Sequence, residues 1–190
     1  MNYYLPTSIE IDGAEHPIRT DFRAALDIME ALQDPELDDN EKILAALDIF
    51  YLEDPETLPD LQTAVAALYW FLDGGQDRGN DKAGPRLVDW EHDWERIIAP
   101  VNRVLGFDAR TVRPDADGAG LHWWTFLAAY MEIGGDCLLS QVVQIREKIK
   151  RGKHLDKSER EWYRRNRSMV DLPTNYTDAE KEIERQWTKG

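Results

Sequence analysis

A chain of 190 residues, 42% hydrophobic and 32% charged, can bury one real core, and its apolar fraction excludes wholesale disorder. Its net charge of −14 argues against a surface that grips nucleic acid or anionic lipid throughout. No run approaches the ~20 apolar residues of a membrane span, residues 1–6 lack the basic start of a signal peptide, and the single Cys137 excludes an internal disulfide and suits a reducing cytoplasm.

The elements in chain order predict a mainly α fold with a small N-terminal β-hairpin. Ser8-Ile9-Glu10-Ile11 alternates polar and apolar, Asp12-Gly13 supplies turn residues, and His16-Pro17-Ile18-Arg19 can return. Pro17 makes the return an edge strand. Thr20 is placed to cap a first helix, with Phe22, Ala25, Leu26, Met29 and Leu32 at helical spacing. Asp38 and Glu41 form a capping box for the second. Thr57, Pro59 and Asp60 open a third, which Gly74-Gly75 stops.

A Gly/Asp/Asn-rich loop follows, then Asp89 opens a helix with a kink at Pro100 and a stop at Gly106. Leu121 to Ile133 is apolar almost all round, as in a central buried helix. Gly134-Gly135 interrupts it, and Asp136 is placed to cap a continuation through Ile149 that Gly152 ends. Lys157 to Met169 makes a basic helix, and Thr177-Asp178-Ala179-Glu180 a capping box for a short terminal one holding Trp187. The expected organisation is one helical domain over 1–172 and a tail over 173–190. Within the domain lie a hairpin at 4–19, helices at about 21–73 and 89–170, and loops at 74–88 and 107–120.

Charge is unevenly spread. Between Gln144 and Arg167, ten Lys/Arg against four acids leave +6, while 13 bases against 33 acids leave −20 elsewhere. Such polarity suits docking on a partner or on another copy through complementary faces. Arg146, Lys150, Arg151, Lys153, Arg164 and Arg165 are candidate partner-binding residues on that segment. Trp162 and Tyr163 among those cations also fit a nucleic-acid regulator that stacks bases, a reading the acidic remainder disfavours.

Reactive constellations are sparse. Asp89-x-x-His92 matches half of a di-iron carboxylate–histidine motif, but none of His16, His122 and His154 has a carboxylate three residues before it. Asp89 and Asp93 then read as a solvated helix start whose acids suit the dipole. Asp115-x-Asp117 lacks the later ligands of a calcium loop. No Gly-x-Ser-x-Gly, phosphate-cradling glycine loop or Cys/His pairing is present. No catalytic residue, metal or cofactor is expected. His122-Trp123-Trp124 is the most unusual tripeptide: core at a helix start, or a binding hot spot for another protein.

The order Asp89-Trp90-Glu91-His92-Asp93-Trp94…Ile97-Ile98, then Gly106-Phe107-Asp108, Leu121-His122-Trp123-Trp124-Thr125-Phe126 and Ile145-Arg146…Gly152-Lys153 resembles the bacteriophage gene-product-fifteen family of tailed phages and prophages. The likeness spans roughly Phe22 to Leu172. The resemblance implies a gene between those of the tail tube and the tape measure, the place of tail assembly chaperones. It therefore implies a non-catalytic protein of the host cytoplasm that binds the tape-measure protein, and tail-tube subunits or itself in addition. A structural tail component is the further alternative. The family lends no catalytic residue.

Overall fold

The computed structural model describes residues 4–76 and 84–173. Residues 77–83 of the first loop, and the terminal helix expected from Thr177 with its Trp187, lie outside the described residues. Contacts gather the chain into two compact units: the described residues 4–76 and 112–125 in the first, 84–111 and 126–173 in the second. The fold is mainly α, with eight α-helices and one two-stranded hairpin among the described residues.

In the first unit, β1 (Ser8–Ile11) and β2 (Ala14–Pro17) pair antiparallel with Ser8 opposite Pro17 and Ile11 opposite Ala14. The two-residue turn needs φ > 0 at both positions, which Asp12 (52°) and Gly13 (81°) supply. Helices α1 (Phe22–Ala31), α2 (Asp39–Phe50) and α3 (Leu61–Leu72) follow. The N-cap of α1 is Asp21, one residue beyond the expected Thr20; its carboxylate accepts the Arg23 N–H at 3.0 Å. The Asp38/Glu41 box caps α2 as anticipated; of Thr57, Pro59 and Asp60, expected together to open the next helix, Asp60 alone caps α3, and Thr57 ends a short 3-10 turn before it. Arg19 Nη1 donates to the carbonyls of Asp48, Ile49 and Tyr51, satisfying groups the end of α2 leaves open. Ile11, Phe22, Ile28, Leu47, Phe50, Tyr51, Leu68 and Phe71 form the core.

In the second unit, α4 (Trp94–Leu105) starts later than the expected Asp89. Residues 90–93 form a turn in which the Asp89 carboxylate accepts the His92 N–H at 2.7 Å. Pro100 lies inside α4, and Gly106 (φ 78°) ends it in the left-handed conformation. Helix α5 (Trp123–Met131) begins in the first unit and ends in the second. It is not buried all round: Phe126 and Ala129 are covered, but Met131 is 66% exposed. Helix α6 (Leu138–Lys150) has Cys137 at its N-cap, one residue beyond the expected Asp136, which faces Arg103 at 3.4 Å. The expected helix 157–169 divides at Asn166 into α7 (Lys157–Arg165) and α8 (Arg167–Val170). An Asp156/Glu159 capping box opens α7. Ile97, Ile98, Val101, Phe126, Leu139, Val142, Ile145 and Val170 form this unit's core.

Candidate protein-binding surfaces

The tripeptide His122-Trp123-Trp124 works as an internal clasp of the first unit. Helix α3 ends with carbonyls that have no partner within the helix. Trp124 Nε1 donates to the Phe71 carbonyl at 2.8 Å, and Trp123 Nε1 to that of Leu72 at 2.9 Å. Adjacent indoles thus cap adjacent carbonyls. His122 Nδ1 accepts the Trp124 N–H at 3.0 Å, so Nε2 carries the proton and donates to the Pro6 carbonyl at 3.0 Å. Burial lowers the His122 pKa, against the opposing pull of the Pro6 carbonyl. Trp123 is 1% exposed and His122 8%, so neither is presented to a partner. Trp124 is half-buried, edge-on to Trp70 at 5.1 Å.

A second device sits in the other unit. Arg146, expected at a binding surface, is 3% exposed and spends every donor inside the fold. Its Nη1 and Nη2 grip Asp93 at 2.5 and 3.0 Å. They also donate to the carbonyls of Leu87 and Met169, and Nε donates to that of Val170. Asp93 is fully buried and additionally accepts the Asp89 N–H and the Arg96 guanidinium, both at 3.0 Å. Burial alone would raise the Asp93 pKa; the Arg146 fork, the Asp89 N–H and Arg96 outweigh it and hold the carboxyl below its ordinary value. Asp93 is therefore an anchor, where the sequence suggested a solvated helix start. The signal that could have found it is the pairing of a lone arginine in the apolar stripe of α6 with the one acid of 89–95 at helical spacing from Ile97.

The remaining predicted cations do face solvent. Lys150, Arg151 and Lys153 are exposed at the end of α6, and Arg164 and Arg165 on α7. Arg151 pairs with Glu147 at 2.9 Å on its own helix, and Lys148 contacts Glu159. Among the described residues, Lys150, Lys153, Lys157, Arg160 and Arg164 form no ion pair. Trp162 and Tyr163, which a base-stacking site would present, are half-buried, and the Tyr163 hydroxyl donates to Asp171 at 2.8 Å. Leu138 (45% exposed) and Ile149 (41%) lie eleven residues apart on α6, three turns and so one face. Exposed apolar and cationic groups thus share the helix. In this unit 14 bases meet 12 acids; in the first, 4 bases meet 19 acids.

Among the described residues no three His, Cys, Asp or Glu side chains gather as a metal site would require, and no helix is long and apolar enough to cross a membrane. The Cys137 sulfur meets the Gly134 carbonyl at 3.6 Å and the Ser140 hydroxyl at 3.2 Å.

Comparison with curated proteins and with solved structures finds no match. A family model does match, described as Bacteriophage Gp15 protein, over residues 1–172. The match takes in both units' described residues up to Leu172, and the hairpin before Phe22 that the sequence likeness left out. The clasp at Leu121–Phe126 and the Asp93–Arg146 anchor both fall within it, and the chain belongs to the bacteriophage Gp15 protein family.

Proposed function

We propose that the protein is a tail assembly chaperone, working without catalysis in the host cytoplasm by binding the phage tape-measure protein. One observation carries the reading: α6 offers exposed Leu138 and Ile149 with the unpaired Lys150 next to Ile149, and α7 adds unpaired Lys157, Arg160 and Arg164. Such a surface suits a long amphipathic helix with acidic flanks, the kind of segment a tape measure presents. The strongly acidic first unit would keep a crowded complex soluble. Family membership supplies the phage context.

The test is co-expression with the tape-measure protein of the same phage, in nuclease-treated lysate. The tape measure should stay soluble and co-purify at low salt, and the complex should weaken as salt rises. Lys150→Glu with Arg164→Glu should release it, while Lys42→Glu, on the first unit, should not. No co-purification at low salt, or capture that vanishes with the nuclease, would overturn the proposal.

A further inference from the structure

We infer that the groove between β1 and α3 is a second docking site, which takes an extended, lysine- or arginine-bearing segment of a partner protein as an added strand. The inference does not depend on the tail-assembly reading.

The argument begins with the hairpin register. Its two-residue turn makes Ile11/Ala14 and then Ile9/His16 the pairs that exchange hydrogen bonds with β2. The backbone N–H and C=O of Ser8 and Glu10 therefore point away from β2. Neither residue's backbone has a partner among the described residues. An edge with free donors and acceptors is a template for another strand.

Beside that edge lies a groove of about 430 Å³, lined by Ser8, Ile9 and Glu10 on one side and Thr63, Ala66, Ala67 and Trp70 on the other. The four α3 residues fall at helical spacing, one stripe about 10 Å long. An extended chain covers that length with about three residues. Small alanines let a backbone come close, and Trp70 closes one end, braced by Trp124 at 5.1 Å.

Charge selects the occupant. Glu10 stands on the rim, and Asp60, bonded to the Thr63 hydroxyl at 2.5 Å, marks the far end of α3. The unit around them has 19 acids and 4 bases among its described residues. Another copy's first unit would bring the same negative charge to the groove and be repelled; a basic segment is attracted.

A labelled, end-blocked peptide alternating lysine and valine, titrated against the full chain by fluorescence anisotropy, tests the site. It should bind saturably. A version N-methylated on alternate residues, which cannot pair with an edge, and one with glutamate for lysine should each bind at least about ten-fold more weakly. Ala66→Trp fills the groove from an exposed position and should cost a similar factor. Ser8→Pro, which removes one outward N–H while sparing the β2 pairing, should weaken binding too; circular dichroism confirms that both variants fold. Equal binding of the methylated or acidic peptide, indifference to Ala66→Trp, or absence of saturation would overturn the inference. So would self-association abolished by Ala66→Trp, since the groove would then belong to a second copy.

Discussion

Replacing Arg146 with methionine keeps most of the apolar stem but deletes donors to Asp93, Leu87, Met169 and Val170 at once. Breaking a buried ion pair from one side costs about 3–5 kcal/mol, because the remaining charge is left uncompensated. At about 2 kcal/mol per molar urea, that is a midpoint shift of roughly 2 M. A urea titration followed by circular dichroism reads it. The pH dependence supplies a sharper test of sign. In the native chain the Asp93 pKa is depressed, so its contribution is complete above the unfolded value and is lost as pH falls through the folded one. In Arg146→Met, Asp93 keeps only Arg96 and the Asp89 N–H, burial dominates, and its pKa rises. The variant's deficit should then shrink as pH falls from about 7 toward about 4. A midpoint shift below about 0.5 M at pH 7, or a deficit that grows on acidification, would refute the reasoning.

The clasp gives three further expectations. Trp124→Phe removes the indole donor from the Phe71 carbonyl, which keeps the Gly74 N–H at 3.1 Å, and should cost about 0.5–1.5 kcal/mol, read as a fall in melting temperature of about 2–4 °C per kcal/mol. Gly75→Ala combines a φ of 76° with a Cβ only 2.5 Å from the Trp124 ring; it should destabilise by more than about 1 kcal/mol, and Trp124→Phe should not relieve the backbone part of that loss. His122 has a folded pKa below its unfolded value. Its stabilising effect is complete above about 6.5 and declines as pH drops below it; thermal melts across that range should show the decline, and His122→Gln should flatten it.

What could be read from the chain, and what could not, divides along sequence separation. Asp12-Gly13, the Asp38/Glu41 box, Asp60 and Gly106 act on neighbours a few residues away, so their spacing alone announces the hairpin, α2, α3 and the end of α4. Thr20 and Asp21 are both able to cap. The choice falls to Asp21 because its carboxylate also binds the Arg23 guanidinium at 2.9 Å and its backbone bridges to His122, contacts that no local pattern contains. The Asp156/Glu159 capping box of α7 is as local as the Asp38/Glu41 box, set within a basic run.

The same limit governed the site. Arg146 looked like one cation among ten, because its partner Asp93 lies 53 residues earlier. His122-Trp123-Trp124 was conspicuous, yet its use as a clasp depends on carbonyls 51 and 53 residues away. Lys150, Lys153 and Arg164 are exposed, since cations at a helix end need no distant partner.

The two indoles that finish α3 also impose an order of events on synthesis. The first unit is assembled from stretches on either side of 84–111, so a nascent chain lacks Trp123 and Trp124 while its first three helices have already left the ribosome. During that interval the Leu72 carbonyl at the end of α3 lacks its indole donor, and the aromatic cluster around Phe71 lacks its cover. Closure waits on a long-range contact, which slows folding and leaves greasy surface transiently exposed to other nascent chains.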